Sequence, residues 1–410
     1  MSNFGIFCPP LPGHLHPTAV LGRALRSRGH RVTVFQFEQF RSQVEAEELD
    51  FCTLGPDVSL ASRVLEMGKA KGIQSLRLAI EGARQSADNI CLYGPDRLRD
   101  YSIDVVLADQ NEPAAGTVAE HLGIPFISLC PSLPLNREPA IPPPFVGWRY
   151  SRSPFALLRN TVGLRAADLL IAPINRLLNR YRSKWNLPLV RTPDDSFSKT
   201  AQLSQMTRQF DFPRHRLPDN FHYLGPWLDS TSRNKVSFPF DRLGSRPMVY
   251  ASFGTLQPNA FGQFAMIAEA CQRLDLQLVV AAGAAATQLG DLPGNPIIVP
   301  YAPQLQLLPK ATLVVTHGGM NTLMQALSFG KPMVALPQTH DQPAIAARLA
   351  CCGAGLVLGQ TRVSAAAIHV ALAELLLNSR YKEAAVKIQR EIEESGGAPN
   401  GVRIIEQASR

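Results

Sequence analysis

Residues 312–322 read TLVVTHGGMNT, and this stretch decides the fold. Its first five residues are an apolar run typical of a buried strand, and a helix is predicted to begin near Asn321. Gly318 and Gly319 allow a tight turn between the two elements and let a ligand approach the backbone closely. The start of the helix adds unpaired N–H groups and a partial positive charge. The stretch therefore predicts an anion site where a parallel strand ends; the alternative is a plain turn in which Asn321 caps the helix.

The same alternation of apolar runs and helix signals extends over both halves of the chain. Strands are predicted over residues 4–8, 31–37, 104–109 and 125–130, and again over 248–252, 276–281, 297–299, 312–316 and 332–336. Near-continuous apolar strands separated by helices are typical of parallel sheets buried on both faces. The predicted fold class is therefore α/β, with two doubly wound Rossmann-like domains. Ligands are expected in the cleft at the carboxyl ends of the strands.

A chain of 410 residues exceeds the usual size of one hydrophobic core, which supports two domains. A polar run at 229–235 separates the two alternating halves. We therefore expect an N-terminal domain over residues 1–228, a linker over 229–245 and a second domain over 246–395.

Composition limits the class of protein. Hydrophobic residues make up 45% and charged residues 18%, as in well-packed globular proteins. The first ten residues lack the basic and apolar segments of a signal peptide, and the longest apolar run, near 278–286, is too short for a membrane span. The seven cysteines include no Cys-x-x-Cys pair, so buried, reduced thiols are expected. These features predict a cytoplasmic protein.

Most of the net charge of +8 lies in one segment, residues 148–184. The segment contains one acid, Asp168, and the basic residues Arg149, Arg152, Arg159, Arg165, Arg176, Arg180, Arg182 and Lys184. Together with its apolar residues this is a basic amphipathic stretch, which can contact an anionic membrane surface peripherally. A pair of ordinary solvated helices is the alternative. Nucleic acid is not an expected partner, because no recognition motif accompanies the charge.

Polar residues suited to a ligand follow several predicted strands of the second half. Tyr301 offers an aromatic face for a nucleobase, and Gln304 an amide for the edge of that base. Asp341 and Gln342 are suited to sugar hydroxyls, and Asp341 has a second interpretation as a helix N-cap. A further turn suited to a phosphate contains Gly254 and Thr255.

In their order and spacing, these motifs resemble the donor signature of the UDP-glycosyltransferases of the GT-B fold. The resemblance implies two facing domains, a final segment (396–410) that crosses back to the first domain, and a sugar nucleotide as co-substrate with no other cofactor. It also implies that the donor is held by Gly254, Thr255, Tyr301, Gln304, His317, Gly319, Asn321, Thr322, Gln325, Asp341 and Gln342.

Within this set, the resemblance assigns the uracil to Tyr301 and Gln304 and the hexose to Asp341 and Gln342. The diphosphate is assigned to His317, Asn321, Thr322 and Thr255. Gln325 departs from the pattern, because a Glu usually bonds both ribose hydroxyls at this position. An amide bonds ribose less strongly than a carboxylate, so the preference for UDP over dTDP donors stays open.

The expected catalytic pair is His14 and Asp109. An acceptor hydroxyl needs a base that works near pH 7, and a carboxylate can fix the tautomer of that base. We expect Pro17 to open a helix, which places His14 in the preceding loop, while Asp109 ends a strand. Gly-His-x-x-Pro at this loop also resembles the base-bearing loop of the family. His16 is the rival base.

The resemblance implies that the hydroxyl attacks the anomeric carbon opposite the diphosphate and inverts an α-linked donor to a β-glycoside. The helix N-terminus and His317 would meet the charge of the leaving group. A metal is not expected, because the chain has no Asp-x-Asp pair suited to hold one.

Segments of the first half further resemble bacterial carotenoid glucosyltransferases of the zeaxanthin type. They are residues 108–113, 133–139, 211–213 and 217–226. The resemblance implies UDP-glucose as donor and a lipophilic acceptor with a terminal hydroxyl. A promiscuous enzyme acting on flavonoids, macrolides or terpenoids is the first alternative. A non-catalytic sugar-nucleotide-binding protein is the second, although such a protein needs neither His14 nor Asp109.

Overall fold

Two parallel β-sheets carry the architecture of this computed structural model, which describes residues 1–56, 73–229, 236–254 and 261–409. The strands of the first sheet are β1 Asn3–Phe7, β2 Arg31–Gln36, β3 Asp50–Thr53, β4 Val105–Asp109, β5 Phe126–Cys130, β6 Gln202–Ser204 and β7 Phe221–Tyr223. Those of the second are β8 Met248–Ser252, β9 Gln277–Ala281, β10 Ile297–Val299, β11 Leu313–Thr316, β12 Met333–Ala335 and β13 Gly355–Val357. Every strand pair is parallel.

Helices cover the faces of both sheets. In the first half they are α1 Pro12–Ser27, α2 Arg41–Ala46, α3 Ile73–Asp100, α4 Pro113–Leu122 and α5 Pro154–Lys184. In the second half they are α6 Phe261–Arg273, α7 Gln304–Leu307, α8 Met320–Ser328, α9 Gln342–Cys352, α10 Ala365–Leu377, α11 Arg380–Ser395 and α12 Gly397–Ala408. The predicted strands are all present, with ends shifted by at most one residue, so the α/β prediction is confirmed.

The strand order reverses once in each sheet, and both reversals face the same cleft. The first sheet has the order β3-β2-β1-β4-β5-β6-β7 and the second β10-β9-β8-β11-β12-β13. In the first sheet the chain runs from β1 toward one edge and from β4 toward the other edge. In the second sheet the same is true of β8 and β11. Such a reversal opens a crevice at the carboxyl ends of the strands beside it. The turns that follow these four strands are therefore the expected ligand-binding turns.

The last helix belongs to the packing of the first domain. Ala398, Val402 and Ile405 of α12 are buried in the same apolar cluster as Phe4, Ile6 and Leu21. The second half thus sends its terminal segment back onto the first sheet. Of the linker expected over 229–245, residues 230–235 lie outside the described residues.

Two expectations about helices change. The helix expected to open at Pro17 begins at Pro12, so the prediction of a loop around His14 was wrong. The basic segment forms one helix of 31 residues with Pro173 inside it, where the alternative interpretation expected a pair of helices.

Within the described ranges, no helix is both long and apolar enough to cross a bilayer. All seven cysteines are free, and five of them are buried as expected, whereas Cys351 is exposed and Cys352 is half-buried.

Candidate active site

His14 lies in the first turn of α1, close to the end of β1. Pro12 opens the helix, and Pro17 lies inside it. A proline has no amide hydrogen, so Pro17 cannot bond the Gly13 carbonyl four residues earlier. That carbonyl instead accepts a bond of 3.1 Å from the Asn321 side chain of the other half. The internal proline thus leaves a backbone acceptor beside His14 that the opposite domain uses.

His14 and Asp109 form the hydrogen-bonded pair that the sequence predicted. His14 Nδ1 lies 2.7 Å from Asp109 Oδ2, and the side chains are 16% and 0% exposed. The backbone amide of Asn111 donates to the other carboxylate oxygen at 2.8 Å, which fixes the orientation of the carboxylate. Burial works against a charged His14, but the charge and hydrogen bond of Asp109 outweigh it and raise the pKa of His14. With Nδ1 bonded to Asp109, Nε2 is the nitrogen that can accept a proton.

The rival histidine has a different partner. His16 Nδ1 is bonded to Glu47, and its side chain is 62% exposed. Glu47 also pairs with Arg23, so this carboxylate is shared with a cation. The geometry therefore favours His14 over His16 as the base.

Glu112 is a buried acid beside this pair to which sequence reasoning gave no role. It is 5% exposed, and both of its carboxyl oxygens lie 3.1 Å from Ser86 Oγ of α3. Burial raises the pKa of Glu112 to about 8, and the negative charge of Asp109 acts in the same direction, against the Ser86 hydrogen bond. The carboxyl is thus neutral at pH 7. Its position one residue before a helix-opening proline was visible in the sequence, but its burial was not.

The second predicted site is the turn between β11 and α8. Gly318 has a φ of +85°, which favours glycine, and Gly319 precedes the first residue of α8. The His317 ring fills the space beside Gly319, because a Cβ there would lie 2.4 Å from its Nε2 atom. Gly254 borders the same ring, at 3.1 Å from its Cε1 atom to an added Cβ. The position of His317 thus leaves no room for a side chain at Gly319 and little at Gly254, where a φ of +70° also favours glycine.

His317 is a neutral group in this site. Burial lowers the pKa of His317 to about 4, although a backbone bond at Ser252 and the charge of Asp341 act to raise it. Its Nδ1 atom is buried and meets no partner within the described residues. The ring lies beside the first turn of α8, whose N–H groups have no helical partners. The turn therefore suits an anion through amide dipoles and a neutral imidazole.

The residues assigned to the nucleobase and ribose lie together. The amide of Gln304 donates to Gln325, and the hydroxyl of the buried Tyr250 donates to Gln304 at 3.0 Å. Tyr301 is 61% exposed, so its ring is accessible for stacking. Tyr250, which orients Gln304, was not identified from the sequence because it looks like any buried strand residue.

The two residues assigned to the hexose have protein partners in different domains. Asp341 accepts a hydrogen bond from Ser132, and it makes no side-chain cap bond to α9. Asp341 is thus the N-cap residue of α9, as the alternative interpretation expected, but it caps through its backbone carbonyl and its side chain is turned to Ser132. The buried Gln342 accepts bonds from the amides of Gln338 at 2.9 Å and Thr339 at 3.1 Å, so its oxygen holds the preceding loop.

Two diphosphate residues complete the predicted set. Asn321 accepts a bond of 2.8 Å from Gln205 of the first half, in addition to its bond to Gly13. Thr322 is 9% exposed in the first turn of α8. Thr255 lies outside the described residues. In the parts of the chain that are described, no group of three His, Cys, Asp or Glu residues is arranged to hold a metal.

Three of the segments that resembled carotenoid enzymes contact one another. Gln110 accepts a bond of 3.0 Å from the amide of Leu135, and Arg214 donates at 2.8 Å to the carbonyl of Asn136. Arg214 in turn lies 2.6 Å from Asp211. These contacts make the segments part of the scaffold below the cleft.

Comparison with known proteins agrees with this geometry. The profile of the UDP-glucoronosyl and UDP-glucosyl transferase family matches residues 24–394. The chain is 34% identical to a zeaxanthin glucosyltransferase of Pantoea ananas, covering 99% of this chain and 96% of the relative. It is 33% identical to a zeaxanthin glucosyltransferase of Pseudescherichia vulneris, covering 100% and 98%.

Solved structures support the fold. The glycotransferase of kitacinnamycin superposes with a TM-score of 0.79 at 22% identity, covering 100% of this chain and 99% of that one. The calicheamicin glycosyltransferase CalG4 gives 0.76 at 21% identity, covering 100% and 98%. The fold is thus GT-B, as predicted, and the chain belongs to the UDP-glucoronosyl and UDP-glucosyl transferase family of enzymes.

Proposed function

We propose that this enzyme transfers glucose from UDP-glucose to a hydroxyl of a lipophilic acceptor, a hydroxycarotenoid such as zeaxanthin, with inversion and without a metal. The observation that carries the proposal is the 2.7 Å contact between His14 Nδ1 and Asp109, at the wall of the cleft that faces the His317 turn. The bond between Asn321 and Gly13 supports it, because it brings the donor turn beside the base.

In the proposed reaction, His14 Nε2 takes the proton of the acceptor hydroxyl as the oxygen attacks the anomeric carbon. Asp109 keeps the proton on Nδ1 and stabilises the imidazolium that forms. The bond between the sugar and the diphosphate breaks, and the electron pair leaves with UDP. The first turn of α8 and the neutral His317 stabilise that anion. Asn321 binds the diphosphate after its side-chain amide has broken its hydrogen bond to the Gly13 carbonyl.

The acceptor class is supported by the two relatives that are named zeaxanthin glucosyltransferases. The test incubates the protein with UDP-glucose or dTDP-glucose and a panel of hydroxycarotenoids, flavonoids, macrolides and terpenoids. Mass spectrometry measures the products, and the anomeric proton coupling measures the configuration. We expect β-glucosides of the carotenoids, formed faster from UDP-glucose. Glucosides of the soluble acceptors alone would favour the promiscuous enzyme, and UDP binding without transfer would favour a binding protein.

The proposal also includes peripheral contact of α5 with an anionic membrane, because a carotenoid acceptor resides there. Four exposed apolar side chains follow steps of three, four and seven residues along this helix and so share one face: Phe155 (76%), Leu158 (64%), Val162 (61%) and Leu169 (78%). Arg165 is exposed on the same helix, and Arg152 is exposed two residues before the helix begins. Asp168, its only acid, is paired with Arg137 and does not offset this charge.

The helix that carries this face is linked to the donor end of the cleft through one loop. A Cβ on Gly163 would lie 2.9 Å from Pro143 and 3.0 Å from Trp148. A Cβ on Gly147, in the same loop, would lie 3.2 Å from the carbonyl of Pro343 in the first turn of α9. The loop at 143–148 therefore connects the packed side of α5, at Gly163, to the first turn of α9.

Co-sedimentation with vesicles tests the membrane contact. We expect binding to vesicles that contain phosphatidylglycerol, weaker binding to neutral vesicles, and a smaller bound fraction at high salt. The variant with F155S, L158S and L169S should lose binding. Its control carries V370S and L377S, which change similarly exposed apolar residues of α10 in the other half. Equal vesicle binding by the two variants would contradict the proposal. So would the finding that the exposed apolar face of α5 is a contact between two copies of the protein.

A further inference from the structure

A buried ionic cluster joins the two domains behind the cleft. Arg348 of α9 donates from Nε to Asp211 Oδ1 at 2.7 Å, and the two side chains are 2% and 0% exposed. The other carboxylate oxygen of Asp211 accepts from Arg214 at 2.6 Å and from the Tyr223 hydroxyl at 2.9 Å. Asp211, Arg214 and Tyr223 belong to the first domain, so Arg348 is the single member contributed by the second.

The cluster is held rigidly by further bonds. Arg348 donates to the carbonyl of Ala344 in its own helix at 3.1 Å, and its guanidinium lies 4.3 Å from the centre of the Phe212 ring. Arg214 donates to the carbonyls of Asn136 at 2.8 Å and Pro134 at 3.2 Å. A buried charge that meets this many partners is fixed in position, whereas an incompletely bonded one destabilises its surroundings.

These bonds form a closed loop of contacts with the donor site. The segment 132–136 of the first domain is bonded at both ends. Arg214 of the cluster donates to the carbonyl of Asn136 at one end, and Ser132 at the other end donates to Asp341. Asp341 directly precedes α9, the helix that carries Arg348. Both ends of the first two turns of α9 are therefore attached to the first domain.

We propose that Arg348 is a positioning residue for the sugar part of the donor, an inference that rests on the proposed function. Through Asp211 it fixes α9 so that Asp341 and Gln342 are placed before the sugar nucleotide arrives. The residues assigned to the uridine, Tyr301, Gln304 and Gln325, lie outside α9. Arg348 therefore acts on recognition of the hexose and leaves recognition of the nucleotide unchanged.

The test compares the KM for UDP-glucose with the Kd for UDP in R348Q. We expect the KM to rise about tenfold, because a shift of the positioning helix weakens contacts to the sugar. The Kd for UDP should stay within about twofold of the wild type, since UDP lacks the hexose. Neither constant depends on the fraction of enzyme that is active, so partial misfolding does not produce the expected change in their ratio. R348K, which keeps the charge, should restore part of the affinity for UDP-glucose.

R182Q is the matched control. Arg182 is similarly buried, at 3% exposed, and pairs with an acid, Glu120 at 2.6 Å, but both residues lie within the first domain. R182Q should lower stability while keeping the ratio of KM to Kd. An equal ratio in R348Q, R182Q and the wild type would overturn the positioning role. A wild type that fails to bind UDP would instead overturn the proposed function.

Discussion

Two charged pairs join distant parts of this chain, and they differ in whether the charge can change. His14 and Asp109 are 95 residues apart, and Arg348 and Asp211 are 137 apart. The His14 side chain is 16% exposed at the cleft, whereas that of Arg348 is 2% exposed behind it. An imidazole gains and loses a proton near neutrality, and a guanidinium stays charged. The molecule thus places its titratable pair where substrates arrive and its permanent pair where the domains join.

The environments of the two carboxylates account for this difference. Asp211 is bonded to two arginines and a tyrosine, and although burial alone would raise its pKa, the charges of Arg214 and Arg348 lower the pKa to about 2. Asp109 is bonded to one imidazole and to Asn111, and it raises the pKa of His14 instead. Removing a residue of the first pair should therefore reduce turnover, whereas removing a residue of the second should lower stability and disturb the placement of the hexose-binding residues.

The largest effect is expected for H14A. Loss of the base should reduce kcat about 1,000-fold or more while UDP still binds, because the donor turn lies in the other domain. Initial rates and UDP titration by calorimetry measure the two properties. H16A is the control, and it should keep near-normal rates because His16 is bonded to Glu47. Turnover by H14A together with inactive H16A would reverse the assignment.

D109N should have the next largest effect, about 100- to 10,000-fold in kcat, because an amide does not hold the required tautomer. Since Asp109 raises the pKa of His14, its removal should also move the acid limb of the kcat/KM profile to lower pH. Rates measured between pH 5 and 9 on the wild type and D109N show both changes. An acid limb at the same pH in both proteins would mean that His14 is not the titrating base.

D211N tests the permanent pair through stability. At pH 7 the change should cost about 3–5 kcal/mol, because it leaves two buried arginines without their anion. The folded pKa of Asp211, about 2, lies below the unfolded value, so its contribution is present above about pH 4 and is lost as the pH falls through 2. Urea unfolding at a series of pH values should show a difference between wild type and D211N that shrinks below pH 4.

The titratable pair should show the opposite dependence. The folded pKa of His14 is raised, so the stability that it contributes is complete below about pH 6.5 and is lost as the pH rises through the folded pKa. The stability difference between the wild type and H14A should therefore shrink on the alkaline side. If the stability contributions of the two pairs changed with pH in the same direction, the comparison would be contradicted.

The turn at 317–319 was predictable because its signals are local. An apolar run ends, two glycines follow, and a helix begins within a few residues, and the structure keeps each of these features. The start of α1 was mispredicted for a reason that is not local. Pro17 normally marks the first turn of a helix, but here the carbonyl that it leaves without a helical partner is bonded by Asn321 from the other half.

The buried ionic cluster around Asp211 could not have been predicted in the same way. The Asp-Phe-Pro run at 211–213 was visible and was interpreted as part of the acceptor side, but its partner Arg348 is an unremarkable basic residue in a helix. Contacts across 137 residues leave no periodicity or spacing in a single sequence. The same holds for Glu112, whose burial depends on α3 packing against it through Ser86.

The smallest effect is expected for E112Q, which separates Glu112 from the pair beside it. Because burial raises the pKa of Glu112 to about 8, the wild-type carboxyl is neutral below that pH and resembles the amide. We expect kcat/KM of E112Q and the wild type to agree within about threefold at pH 6 to 7. Above pH 8 the wild type gains a negative charge near His14 and the two profiles should separate. Profiles that already differ at pH 6 would mean that Glu112 is ionised there and belongs to the charged pair.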